Sequence, residues 1–265
     1  MSVTSLMSAG KLSTDQHEFY RKNGYLHVRG MLSAAEAAFY RQELHELAER
    51  LGERDATWSS VRSAEAAQRT RLMHCHDVQF YSAAFTSLLV DPRFTRIAQG
   101  IIGPNVQLHH TKMFIKPPEN GSPFPMHQDY PYFPHQNHSM IAAIVHFDDA
   151  PEEKGCLRVV PGSHQLGPLE AFGQDHHLPE DRYPIEQALA IPAKAGDAIF
   201  MSYLLVHGSG VNRSNEPRTT ILVQMRDPED VAINDKHSSR GQGMMLAGID
   251  PRRPDFEFAW ERKPE

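Results

Sequence analysis

The residues best suited to chemistry lie in the stretch PMHQDYPYFP, Pro125 to Pro134, where His127 and Asp129 stand two apart among three prolines. In extended backbone an i, i+2 pair can turn both side chains to one side. Imidazole plus carboxylate is two thirds of the facial triad that holds non-haem Fe(II) and leaves coordination positions open. The pair alone is weak, because His146-Phe147-Asp148 and His74-Cys75-His76-Asp77 offer similar mixtures. His127-Gln128-Asp129 is expected just ahead of a strand.

A third ligand would decide the matter. His164, His176, His177, His207 and His237 lie downstream. Of these, His207 closes the apolar run from Ile199 to Val206, which places it at the mouth of a buried strand. Gly208, Ser209 and Gly210 follow and permit close backbone approach. The other histidines sit in polar stretches where a solvated side chain is expected. Arg218 opens the next apolar segment. A fixed guanidinium beside an iron site suits a dicarboxylate co-substrate, since its fork pairs a carboxylate at two points.

Local signals indicate the elements that must position these groups. Ser13 with Gln16, and Ser33 with Glu36, read as helix starts, and Gly24 as a stop. Tyr40, Leu44, Leu47 and Leu51 share one helical face. Asp91-Pro92 opens a helix that carries Phe94, Ile97 and Ile101 to Gly103. Beyond Pro104 the chain changes character, and Val106–Ile115, Met140–Phe147, Cys156–Val160, Ala198–Val206 and Thr219–Met225 read as strands. The expected fold is mainly β with flanking α-helices. The expected layout is one domain: a helical part to about residue 104, a β core from about 105 to 227, and a loop segment from about 228 to 265. The segments Leu166–Gln187 and Asp227–Gly248 are long and rich in breakers, and are expected to line or cover a pocket mouth.

Composition sets the outer limits. A net charge of −6 gives no basic footprint for nucleic acid. No apolar run is long enough to span a bilayer. The opening MSVTSLMSAGKLSTD does not read as a secretory signal, and Cys75 and Cys156 are too few for a disulfide framework, so a cytoplasmic location is expected.

Together, His127-Gln128-Asp129 with Tyr132-Phe133-Pro134, Glu153-Lys154-Gly155-Cys156-Leu157, Val160-Pro161-Gly162-Ser163-His164, His207-Gly208-Ser209 and Arg218 resemble the phytanoyl-CoA dioxygenase family. The resemblance runs from about Leu12 to Met225, and NGYLHVRGMLSAAE is similar to the family's opening. It implies a double-stranded β-helix (jelly-roll, cupin-like) and an Fe(II)- and 2-oxoglutarate-dependent dioxygenase that uses O2. On that resemblance His127, Asp129 and His207 hold iron, while Arg218 and Ser209 hold the distal carboxylate of 2-oxoglutarate. Halogenating relatives replace the carboxylate ligand by a small residue. Asp129 therefore favours hydroxylation or another oxidation of a C–H bond over halogenation, with release of succinate and CO2.

Several residues stay open on the sequence. Lys112 either meets a co-substrate carboxylate or is a solvated edge lysine, and Thr220 either adds a hydroxyl contact beside Arg218 or fills the strand. Gln128 lines the pocket or hydrogen-bonds a loop. Tyr130, Tyr132 and Phe133 wall the substrate site or simply pack. Arg226 reaches an acidic substrate or lies on the surface. His146 reads as structural and His164 as part of a turn. The substrate is expected to be a small organic molecule of secondary metabolism. Two alternatives keep the fold: a cupin-like metal enzyme without 2-oxoglutarate, or a non-catalytic ligand-binding barrel.

Overall fold

The computed structural model describes residues 12–52, 73–118, 123–173, 176–234 and 239–252. Helix α1, Thr14–Asn23, starts on the reciprocal bonds between Ser13 and Gln16. It ends at Gly24, whose φ of 79° suits a residue without a side chain. Strand β1 (Tyr25–Val28) follows, then α2 (Ala34–Gly52), whose first turn is held by Ser33 and Glu36. After β2 (Met73–His76) come α3 (Ala83–Leu89) and α4 (Pro92–Ile102), the latter capped by Asp91.

The β core begins with β3 (Val106–Lys116) and β4 (Phe124–His127), then β5 (Ile141–His146), β6 (Leu157–Val159) and β7 (Leu189–Ile191). It continues with β8 (Ala198–Ser202), β9 (His207–Ser209), β10 (Arg218–Arg226) and β11 (Met245–Ala247). The larger sheet runs β1-β8-β5-β10-β3-β11, with β2 also paired to β3; the smaller runs β4-β9-β6-β7. All these pairings are antiparallel. The two sheets face one another as a double-stranded β-helix.

Strand alternation decides what lies on each face of the larger sheet. Met113, Ile115, Val145, Ile221 and Val223 point outward and pack with Leu44, Leu47, Phe85, Phe94 and Ile97 of the helices. Their inward neighbours Lys112, Phe114, Ile144, His146, Arg218, Thr220 and Gln224 line a cavity between the sheets. A second apolar cluster, including Ala142, Leu157, Val159, Ile199 and Met201, fills the remaining space between them.

Three expectations about elements are corrected. Ala198–Val206 is not one strand, because β8 ends at Ser202 and Tyr203–Val206 turns through the interior to reach β9 on the other sheet. The run is apolar because the turn itself is buried. The part to residue 104 is not purely helical, since β1 and β2 join the larger sheet. The segment after Asp227 is not loop throughout: β11 pairs with β3, and among the described residues nothing from 227 to 248 lines the cavity. Residues 235–238 and 253–265, with candidate His237, lie outside the described residues.

Candidate active site

Strand β4 is an outer strand of the smaller sheet, where Pro125 costs no essential ladder bond. From Phe124 to His127 it spends three steps against two on β9 from Ser209 to His207, the signature of a bulge. His127 therefore closes a strand and comes opposite His207. It does not precede a strand, as the sequence had suggested: after Asp129 the chain enters a 3-10 turn, Tyr130–Tyr132. The Asp129 and Tyr130 amides both donate to the carbonyl of Tyr203, which ties this turn to the buried β8–β9 connection.

These constraints bring His127, Asp129 and His207 together, with one ligand atom from each within 4.8 Å of the others. Asp129 Oδ1 lies 3.6 Å from His127 Nε2 and 3.8 Å from His207 Nε2. Each Nδ1 meets a backbone carbonyl, Pro125 for His127 (2.7 Å) and Leu205 for His207 (2.9 Å). A carbonyl can only accept, so each Nδ1 donates, which turns each Nε2 toward Asp129. Gln224 donates to Asp129 Oδ2 at 2.8 Å and fixes the carboxylate. Burial pushes the Asp129 pKa up, but His207, His127 and Gln224 outweigh it and hold it below the usual carboxylate value. Burial and the adjacent His127 hold His207 down to about 4, so it is neutral at physiological pH. Two imidazoles that turn Nε2 toward one carboxylate are the donor set of a facial triad for divalent iron, so the residues fit the metal.

Gly208 allows this close approach. A Cβ there would meet the Phe124 carbonyl at 2.7 Å and Met126 sulfur at 2.9 Å. Ser209, Arg218 and Thr220 line the same cavity, which has a volume of about 470 Å³. Arg218 is buried and donates to the Gly155 carbonyl, while its Nε has no partner. No carboxylate among the described residues pairs with it. A buried guanidinium with spare donors and no counter-charge fits the far carboxylate of a keto diacid.

Sequence reasoning missed Lys116. It is fully buried, and its Nζ donates to Ser209 Oγ (2.9 Å) and the Gly210 carbonyl (2.6 Å). Burial, reinforced by Arg218, lowers its pKa to about 6. Lys112 lines the cavity and sits 4.9 Å from the centre of the Phe114 ring. Tyr132 and Phe133 also line it. Gln128, Tyr130 and Arg226 do not. Gln128 bonds the Leu204 and Gly167 carbonyls and the Leu169 amide, which anchors the loop after Leu166. Tyr130 packs on Tyr203 and His138. Arg226 is buried against the carbonyls of Asp227, Pro228 and Asp230, where it serves the chain turn. His177, from the long loop, bridges to His127 and lines the cavity. His146, read as structural, also lines it.

The family profile of phytanoyl-CoA dioxygenase (PhyH) matches residues 20–220. The chain belongs to that family. It is 29% identical to the peroxisomal phytanoyl-CoA dioxygenase of Bos taurus over 236 residues, which cover 82% of this chain and 69% of that protein. Among solved structures it resembles the epimerase SnoN in complex with Fe3+, alpha ketoglutarate and nogalamycin RO. That match has 26% identity and a TM-score of 0.68, covering 89% of this chain and 96% of the other. It also resembles the non-heme alpha ketoglutarate dependent carbocyclase SnoK from nogalamycin biosynthesis, at 25% identity and a TM-score of 0.73, covering 91% and 96%. As a member of the phytanoyl-CoA dioxygenase family, the chain is a 2-oxoglutarate-dependent non-haem iron dioxygenase with the jelly-roll fold. Among the described residues no helix is long and apolar enough to cross a membrane.

Proposed function

We propose that His127, Asp129 and His207 hold Fe(II), that Arg218 and Ser209 seat the far carboxylate of 2-oxoglutarate, and that the enzyme hydroxylates an unactivated C–H bond of a small organic molecule of secondary metabolism. The observation that carries this is one cavity with a compact His-Asp-His donor set and a buried arginine that lacks a carboxylate. Iron and 2-oxoglutarate supply O2 activation, with succinate and CO2 as co-products. The protein's own residues do the rest. Gln224 orients Asp129, and the Pro125 and Leu205 carbonyls fix both imidazoles. Tyr132, Phe133 and Phe114 offer ring faces to a substrate with apolar area. The nogalamycin-pathway origin of SnoN and SnoK supports a natural-product substrate. Two buried, unpaired cysteines and the net negative charge support a cytoplasmic enzyme that binds neither nucleic acid nor membrane.

The deciding experiment is a screen of small-molecule libraries for substrate-stimulated succinate formation by the iron-loaded protein. Activity is expected only with 2-oxoglutarate present, and His127→Ala, Asp129→Ala and His207→Ala should each abolish it and weaken metal binding with the fold retained. Turnover without 2-oxoglutarate would support the cupin-like metal enzyme instead. Full activity in any one variant would remove that residue from the ligand set.

A further inference from the structure

We propose that His146 is a direct hydrogen-bond donor to the far carboxylate of the keto acid, and so sets the enzyme's preference for a dicarboxylate; this rests on the function proposed above. His146 is 1% exposed and lines the cavity, yet neither Nδ1 nor Nε2 has a hydrogen-bond partner. Its backbone is satisfied through Asp197 and Gly196. A buried imidazole with both nitrogens bare is costly unless something else completes it.

Its place in the sheet says what that is. His146 on β5 stands directly opposite Thr220 on β10, and Arg218 is two residues further along the same inward face of β10. Cross-strand and diagonal neighbours of this kind are within side-chain reach. Ser209 lies across the cavity on the facing sheet. The metal end is elsewhere: Gln224, which holds Asp129, pairs with Ala142, four residues or roughly 13 Å of strand from His146. His146 thus serves the Arg218 end of the cavity and not the metal. Burial and then Arg218 hold its pKa down to about 3, so it is neutral and offers one N–H. A neutral donor is what this corner can take, since the buried Arg218 already places one guanidinium there with no carboxylate among the described residues beside it.

The test compares 2-oxoglutarate with 2-oxobutyrate, which has the same keto acid end and no far carboxylate. Binding of each is measured by calorimetry on the Mn(II)-loaded protein, where no turnover intervenes. The wild type is expected to prefer 2-oxoglutarate. His146→Leu should weaken 2-oxoglutarate by about ten- to a hundredfold, the scale of one hydrogen bond to a charged group, and leave 2-oxobutyrate unchanged. His146→Asn, which keeps an N–H donor, should recover part of the loss. If the leucine variant does not fold, His146→Phe carries the loss arm. Equal weakening of both acids, or a 2-oxoglutarate affinity within twofold of wild type, overturns the role of His146. A wild type that binds Mn(II) but not 2-oxoglutarate overturns the proposed function as well.

Discussion

Lys116, bonded to Ser209, and Arg218, its partner position on β10, are two buried basic residues, and no carboxylate among the described residues pairs with either. With its pKa lowered to about 6, Lys116 is largely neutral at pH 7.5 and still has two N–H bonds for Ser209 and Gly210. An arriving dianion favours the charged form. 2-Oxoglutarate binding should therefore take up close to one proton above pH 7, seen as a buffer-dependent binding enthalpy, and should weaken as pH rises. Lys116→Met should abolish the uptake and cost about tenfold in affinity, because the Ser209 hydroxyl loses the group that orients it. Uptake that persists in the variant would assign the proton elsewhere. Lys116 went unseen in the sequence for a local reason: the strand that reads as Val106–Ile115 runs one residue further. Lys112 and Lys116 then share the inward face. The cluster of His127, Asp129 and His207 was legible because one His-x-Asp and one histidine beside glycines carry it. Gln224 was missed because a glutamine in an apolar strand reads as an exception until Asp129 stands next to it.

At the scale of elements, the two histidines are held by one close contact between β4 and β9. A Cβ on residue 208 would meet a backbone oxygen of β4, which cannot yield without moving His127. Gly208→Ala is expected to cost about 1–3 kcal/mol, typical of overpacking, and to weaken Mn(II) binding together with the melting temperature. Gly210→Ala is the control, because a Cβ there would meet Gly155 Cα at an ordinary 3.9 Å. Equal effects from both substitutions would show that the contact at 208 does not position the ligands. The boundaries legible in the sequence were those written by one or two residues, such as Ser13 with Gln16, Gly24 and Asp91-Pro92. Helix α3, seven residues of AAFTSLL, is too short for its period to stand out. The run through Val206 misled because a buried turn and a buried strand have the same composition. What distinguishes them here is long-range: the Gln128 side chain, the Asp129 amide and the Ser163 hydroxyl satisfy the turn's backbone.

Across the whole molecule the same burial that builds the site makes the fold sensitive to acid. His74 and His146 are held near pKa 3 and His207 near 4, each chiefly by burial. In the unfolded chain they titrate near 6.5. Between those values the unfolded state binds protons that the folded state refuses, so stability is fully present above about pH 6.5 and is lost as pH falls toward 4. Each histidine contributes a slope of roughly 1.4 kcal/mol per pH unit well below its unfolded pKa. Three such groups weigh heavily against a total of about 5–15 kcal/mol. Lys116 acts in the same direction at higher pH, since its unfolded form keeps a proton that the folded form has lost above about 6. Carboxylates held below their usual values, Asp129 and Asp197 among them, add their losses only in stronger acid. The metal-free protein should therefore melt highest at neutral to alkaline pH and lose stability steeply between pH 6 and 4. Mn(II) should raise the melting temperature most at high pH, because protons compete with the metal for the imidazole of His207 as pH falls. In His146→Leu one of the three proton acceptors is gone, so its curve of melting temperature against pH should be shallower than the wild type's. A wild-type melting temperature that stays level down to pH 5 would mean that these histidines are reached by water in the folded protein, and that the cavity between the sheets is wetter than its lining implies.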